Sequence, residues 1–341
     1  MFNYFVRRFL LIIPTFLGCT IVVFAILQFT PGGPYENMLR QAQTRVAEGG
    51  AAAGGRDVGQ VTIPEEAKLE LKRYFGLDKP IHVRYVNWLG NILSGDFGTS
   101  YVYAEPVMDI ITSRFPVSIA FGLTGFLLSY LVCIPLGIFK AIRHGSAFDF
   151  VSSTLVFIGY AIPGWALGTL MLAFLARQLG WFPLGEFRSE DWDMFSTGEQ
   201  ILDQAHHMVL PVISYMIGGF ATLTILMKNS LMENLGQDYV RTAFAKGLSE
   251  KRVIFVHALR NSMIPIATGL GHVLSFILAG SFLIERTFNI DGIGLLGFKS
   301  AVNRDYTVVM GILSIAVVIQ LIGNIFSDML YAVFDPRIRF K

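Results

Sequence analysis

Six stretches of this chain run twenty residues or more without a single Asp, Glu, Lys or Arg: Phe9 to Phe29, Phe115 to Phe139, Phe150 to Ala176, Met208 to Met227, Met263 to Ile284 and Thr307 to Ser327. A helix needs about 20 apolar residues to cross roughly 30 Å of hydrocarbon. Inside lipid every backbone N–H and C=O must be bonded within the chain, which such a helix achieves. The pattern therefore predicts an all-α integral membrane protein with six transmembrane helices. Composition agrees, with 53% hydrophobic and 15% charged residues, against roughly 25% charged in a soluble domain. Interior prolines at 135, 163, 211 and 265 predict kinks or helix ends, because neighbouring helices can satisfy the carbonyls they free.

Arg7-Arg8 ahead of the first run could open a secretory signal, and Phe16-Leu17-Gly18-Cys19 weakly matches a lipoprotein cleavage box. The apolar stretch continues for ten residues past Cys19 with no small-x-small site, so the first run is expected to be an uncleaved span. Cys19 and Cys133 both fall in apolar runs at a spacing that fits no metal-ligand pattern, and are expected to be buried thiols.

Lys and Arg set the orientation. With the N-terminus inside, the tail, the Lys140–Arg143 connection, the 228–262 loop and the C-terminal tail carry 13 basic residues, against five (Arg177, Arg188, Arg286, Lys299, Arg304) in the two short outside loops. Both termini are expected to be cytoplasmic. The long outside region, 30–114, contains a Gly/Ala-rich insert, 41–63, too poor in apolar residues to anchor itself. After Pro64 the pattern turns helical, with Leu69, Leu71 and Phe75 and a stop at Gly76. Tyr85, Trp88, Leu89, Ile92 and Leu93 then recur at helical spacing. These are either an amphipathic helix on the membrane surface or two solvated helices packed together.

Several chemistries are disfavoured. The nearest approach to a phosphate-binding loop, Gly54 to Gly59, is followed by Gln60 and Val61 where Lys and Ser/Thr are needed. Asp96-Phe97-Gly98 matches a kinase tripeptide but lacks the accompanying loops. Adjacent His206-His207 would point about 100° apart on a helix, a poor metal clamp. No paired-carboxylate or nucleophile–base set stands in the runs, and net charge of +2 gives no argument for nucleic acid. The few polar groups in the runs, His272, Gln320 and Asn324, suit either hydrogen bonds between helices or a substrate-lining role. Asp328, just past the sixth run, needs a basic neighbour.

The most specific stretch is the inside loop, where Gln237-Asp238-Tyr239-Val240-Arg241-Thr242-Ala243-Phe244-Ala245-Lys246-Gly247-Leu248 precedes Ser249-Glu250-Lys251-Arg252. Its residues fit a short helix ended by Gly247, with Ser249 capping a second. They fit equally a solvated basic loop that merely satisfies the charge rule.

Asp238 to Gly247 resembles the EAA coupling loop of ABC importer permeases, in the Arg-Thr-Ala form of the dipeptide and oligopeptide branch, with Phe244 where that branch often carries Arg. Pro31-Gly32-Gly33-Pro34, Phe75-Gly76-Leu77-Asp78-Lys79-Pro80, Gly95-Asp96-Phe97-Gly98-Thr99-Ser100 and Gly159-Tyr160-Ala161-Ile162-Pro163 resemble the same branch. So do Asp291-Gly292-Ile293-Gly294-Leu295-Leu296-Gly297, Asn303-Arg304-Asp305-Tyr306 and Asp335-Pro336-Arg337-Ile338-Arg339. The insert, Gly145 to Asp149 and Gly297 to Ser300 are most similar to the YejB-type permeases of peptide and microcin C importers.

This resemblance implies a type I ABC importer permease fold in a bacterial inner membrane, organised as a first span (1–29), a periplasmic region (30–114) and a five-helix core (115–341) with coupling loop 228–262. It implies a non-catalytic pore subunit paired with a homologous second permease. Partner ATPase subunits would use ATP and Mg2+, and a periplasmic peptide-binding protein would deliver the cargo. Coupling to the ATPase would fall to Asp238, Tyr239, Arg241, Thr242, Ala243, Ala245, Lys246, Gly247 and Leu248. Contact with the binding protein would fall to Trp88, Asp291, Gly292 and Gly294. No cofactor is expected on this chain. The cargo would be a peptide, a microcin C-like peptide, or another small solute such as a metal chelate. The alternative is a self-contained secondary transporter or channel, which would show inverted repeats, spans broken at the midplane and a buried ionisable pair.

Overall fold

Apolar runs mark where a helix meets lipid, whereas caps, prolines and glycines decide where it starts and stops. The computed structural model describes residues 2–29, 33, 35–40, 64–74, 76–270 and 281–334. The 41–63 insert, His272, much of the fifth run's second half and the Asp335 to Arg339 motif lie outside the described residues.

The helices are α1 (Phe2–Phe29), α2 (Glu65–Tyr74), α3 (Ile81–Leu93), α4 (Val107–Ile142), α5 (Ala147–Ala161), α6 (Gly164–Gln178), α7 (Thr197–Leu235), α8 (Asp238–Ala245), α9 (Leu259–Leu270), α10 (Phe282–Thr287), α11 (Ile293–Val302) and α12 (Tyr306–Phe334). Among the described residues the one extended pairing is an isolated antiparallel bridge between Thr99 and Pro106. Four helices, α1, α4, α7 and α12, are long and apolar enough to cross a membrane. The pair α5 and α6 forms a fifth candidate, bent by 95°.

The helices outrun the apolar stretches. At 36 and 39 residues, α4 and α7 are about 54 and 58 Å long at 1.5 Å per residue, well beyond the hydrocarbon. Polar residues such as Glu199, Asp203 and Glu233 end an apolar run without opposing helix formation. The start of α7 is fixed instead by a capping box, in which the Ser196 amide donates to the Glu199 carboxylate at 2.9 Å.

The third run breaks at Pro163. Proline lacks an N–H and pushes the residue before it out of the helical region, and Ile162 accordingly sits at φ −97, ψ 119. The broken halves then lie against α7 through glycines. A Cβ on Gly164 would fall 2.3 Å from the Ser214 carbonyl oxygen, and one on Gly168 2.8 Å from the Ser214 hydroxyl. Small residues permit this backbone approach, which stands in for the hydrophobic effect where lipid is the solvent. Pro135, Pro211 and Pro265, by contrast, are carried inside continuous helices.

The chain divides into two compact units, one comprising Met1–Ile12, Arg114–Leu296 and Val318–Lys341, the other Ile13–Ser113 and Gly297–Val317. In the first, α7 is the hub, packed against α5, α6 and α9. Arg8 meets Asp328 at 3.1 Å there, supplying the basic neighbour that Asp328 needs. Gln320 and Asn324 bond each other along α12 at 3.0 Å; this pair lies within one helix rather than between two, because a four-residue spacing places both side chains on one face.

In the second unit α2 and α3 form as the spacing predicts, with Gly76 at φ +64 after α2. The face of α3 bearing Tyr85 and Trp88 packs on Phe24 of α1, with ring centroids 5.5 and 5.9 Å away, and the Thr20 and Tyr85 hydroxyls pair at 2.9 Å. The first span is thus what this face covers. Two of the motif segments also meet in this unit. The buried Ser100 hydroxyl donates to the buried Asp305 carboxylate, and Tyr101 donates to the Asn303 carbonyl. Burial pushes the Asp305 carboxyl above the usual aspartate range and the Tyr101 phenol up to about 12.

Candidate functional site

Between α7 and α9 the chain turns through Gly236 and Gln237 into the short helix α8. Its sequence places Val240 and Ala243 three residues apart, hence on one face. Both are buried in a core built from Ile138 and Ala141 of α4, Met227 and Leu231 of α7, Val253 and Ala258, and Ile266 of α9. Burying a valine of this kind contributes about 2 kcal/mol. The opposite face is open: Asp238, Tyr239, Arg241, Thr242, Ala245, Lys246 and Gly247 are exposed, and Phe244 keeps 46% of its surface accessible. An exposed aromatic beside basic groups thus stands on a helix whose other face is packed against α4, α7 and α9.

The end of α8 is equally defined. The Gly247 amide donates to the Phe244 carbonyl at 2.9 Å, and the Leu248 amide reaches back to the Ala243 carbonyl at 3.4 Å. With Gly247 at φ +78, this is the Schellman ending, which needs a residue free to adopt the left-handed conformation. Leu248 packs onto the same core as Ala243, the apolar contact that accompanies the motif. Ser249 occupies the N-cap position of the next helical turn but makes no side-chain cap bond, so it marks the boundary without the hydrogen bond expected of it. A π-helical segment, Val253–Ala258, then leads into α9.

The nine residues assigned to coupling fall into two sets. Asp238, Tyr239, Arg241, Thr242, Ala245, Lys246 and Gly247 share the open side, whereas Ala243 and Leu248 face inward as the mount. Arg241 and Asp238 approach only to 3.5 Å, both well exposed, leaving their charges free to meet another surface.

The four residues expected to meet a binding protein are not equivalent. Trp88 is half-buried on Phe24. Asp291 is exposed but bound to Arg114 at 2.9 Å. Gly292 is buried, and Gly294 half-buried, in a turn that wraps the Glu285 carboxylate, which accepts the Leu295 amide at 2.5 Å and the Tyr215 hydroxyl at 3.4 Å. Glu285 is 1% exposed, so this acid shapes the loop from within.

Sequence reasoning missed a buried ionic cluster near the coupling helix. Asp149 of α5 receives Lys228 of α7 on both carboxylate oxygens at 2.8 Å and Lys140 of α4 at 3.3 Å. Lys140 also donates to the Asp149 carbonyl, Ser152 and Ser153 at 3.1, 2.9 and 2.7 Å. The available signal was the placement of these ions just outside apolar runs, where an unpaired charge would be costly. His206 and His207 do diverge: His206 meets the Trp181 carbonyl at 2.7 Å and His207 the Gly185 carbonyl at 2.9 Å. A cleft of about 400 Å³ lies among α4, α7 and α9. Its lining, which includes Ser129, Tyr130, Tyr215 and Thr222, carries no charged side chain among the described residues.

The family described as "Binding-protein-dependent transport system inner membrane component" matches residues 133–340. The chain is 38% identical to the peptidoglycan transport system permease protein YejB of Agrobacterium fabrum, over 99% of this chain and 98% of that protein. It is 35% identical to the oligopeptide transport system permease protein AppB of Bacillus subtilis, over the whole of both. Among solved structures, the inward-facing MetNI methionine ABC transporter matches with a TM-score of 0.51 at 14% identity, over 67% of this chain and 97% of that one. At that identity the likeness is one of fold.

Proposed function

Because the chain belongs to the family of binding-protein-dependent transport system inner membrane components, a family of multi-pass inner-membrane permeases, we propose that it is one of two permease subunits forming the pore of an ATP-driven peptide importer. The observation that carries this is the Schellman-ended helix α8, with Val240 and Ala243 fixed in the core and Tyr239, Arg241, Phe244 and Lys246 presented outward. In this reading the open face seats in a groove of a partner ATPase, which binds ATP and Mg2+ and performs the hydrolysis. Closure of the ATPases displaces α8, and its rigid mount passes the motion to α7, α9 and α4. Pumping is then a shift between inward-open and outward-open populations, driven by a ligand bound to another chain.

Peptide cargo is supported by the relatives, one a permease of an oligopeptide transport system and one of a peptidoglycan transport system. The uncharged cleft among α4, α7 and α9 suits a path that recognises backbone amides more than side-chain charge. Extension to microcin C-like peptides rests on sequence resemblance alone. The pairing of Arg8 with Asp328 supports termini on one side, and the excess of Lys and Arg supports the cytoplasm as that side. A peptide-binding protein would dock on the opposite side, where Asp291 is exposed.

The test is uptake of labelled peptide into proteoliposomes holding the full complex. Gly247→Pro and Arg241→Glu should each abolish ATP-dependent uptake while the complex still assembles. Unchanged uptake and unchanged substrate-stimulated ATP hydrolysis would overturn the assignment.

A further inference from the structure

The buried cluster on Asp149 holds one more cation than neutrality needs. Asp149 is the single carboxylate of the cluster among the described residues, and both Lys140 and Lys228 bind it. The two lysines do different work. Lys140, fully buried, is saturated locally: its ammonium has four acceptors, all supplied by Asp149, Ser152 and Ser153. That set neutralises the acid and joins α4 to α5 across the turn between them. The same turn contributes the Gly145 amide and the His144 ring, each 3.2 Å from the carboxylate.

Lys228 is a second cation on one carboxylate and its closer partner: it comes from α7, 79 positions away, and spans both Asp149 oxygens at 2.8 Å, against 3.3 Å for Lys140. It lies seven residues before the end of α7 at Leu235, and only Gly236 and Gln237 separate that end from α8. The grip is therefore about 10 Å, or two helical turns, along α7 from its end.

We propose that Lys228 is a positioning residue of the transport cycle, the strut through which displacement of the coupling helix is passed sideways from α7 to α5 and the α4–α5 turn. The proposal rests on the permease reading above. Without the strut, α5 and α6 follow α7 only through their packing on it, so less of the displacement reaches the α4–α5 turn and more ATP is spent for each change of state. Removing Lys228 still leaves Asp149 with Lys140 and the Gly145 amide, so the buried acid is not stranded without a cation.

The experiment uses the complete importer in proteoliposomes and reads ATP hydrolysed per peptide delivered, for wild type, Lys228→Met and Lys228→Arg. Lys228→Met should raise that ratio about tenfold, the scale of an ordinary coupling free energy, with Lys228→Arg restoring it toward wild type. A purely structural lysine would change the yield of complex and leave the ratio alone, so an unchanged ratio overturns the proposal. Should Lys228→Met fail to assemble, Lys228→Gln, which keeps one donor toward Asp149, takes its place. Failure of both to assemble would make Lys228 a folding residue and overturn the proposal as well. A wild-type complex that imports no peptide with ATP would instead defeat the permease reading, before any variant is compared.

Discussion

Ser230 and Ser262 join the two helices that flank α8: the Ser230 hydroxyl donates to the Ser262 carbonyl at 3.0 Å, and the Ser262 hydroxyl, which donates to the Ala258 carbonyl at 2.8 Å, also lies 3.3 Å from the Ser230 carbonyl. Both serines are buried, so α7 and α9 approach closely there. Ser262→Ala should cost about 1 kcal/mol, the net worth of one such bond. Ser262→Leu should cost more, about 1–3 kcal/mol, by forcing the helices apart. Thermal unfolding of the purified complex in detergent gives the order of the two.

Gly247 is required by its backbone angle. A Cβ there meets nothing within 4 Å, so Gly247→Ala carries only the left-handed strain of φ +78, about 1–2 kcal/mol. Gly247→Asn should be milder, since Asn tolerates that region. Gly247→Pro also removes the amide that donates to the Phe244 carbonyl, and should be the most harmful. Peptide uptake at equal complex concentration is the measurement, with the expected order Gly, Asn, Ala, Pro.

Gly292 is required by space. A Cβ would lie 2.6 Å from the Glu285 carboxyl carbon, and Glu285 is held by the Leu295 amide and Tyr215. Gly292→Ala should therefore destabilise by about 1–3 kcal/mol. Glu285→Ala should relieve part of that cost, so the double variant should be less unstable than the two single changes summed. A double-mutant cycle on unfolding midpoints decides it.

The buried Asp305 carboxyl gives a pH dependence. Its folded-state pKa is raised by burial, so the folded chain binds its proton more tightly than the unfolded chain does. This contribution is fully present below the ordinary value of 3.8 and is lost as pH rises through the raised folded value. Asp305→Asn keeps an acceptor for Ser100 and has nothing to ionise, so it should flatten the unfolding midpoint against pH in that window.

Local signals were legible and distant ones were not. Of the two readings that residues 238–248 allow, a short helix ended by Gly247 and a solvated loop, the structure has the helix, α8, whose determinants are contiguous: Val240 and Ala243 one turn apart, then Gly247. A break or kink is expected at each of four prolines, and the chain breaks at Pro163 while Pro135, Pro211 and Pro265 stay inside helices. Helix ends at Thr197 and Leu235 were missed because run boundaries report on lipid, and a capping box such as Ser196 with Glu199 lies outside the run. The Lys140–Asp149–Lys228 cluster and the Ser230–Ser262 pair depend on contacts between residues 9, 32 and 79 positions apart and on different helices, for which no periodicity exists. The lysines had been read only as markers of topology, since a charge at the end of a span satisfies the orientation rule whatever it touches.

The central claim is that the open face of α8 meets an ATPase subunit. Site-directed cross-linking tests it directly: a single cysteine at Phe244, carrying a photoactivatable reagent, in the assembled complex. The account predicts a covalent adduct between this chain and the ATPase from position 244, and none from a control at Met194, which is 87% exposed in the 178–197 connection. An assembled, ATP-hydrolysing complex that gives no adduct from position 244, or gives it equally from 194, would contradict the account.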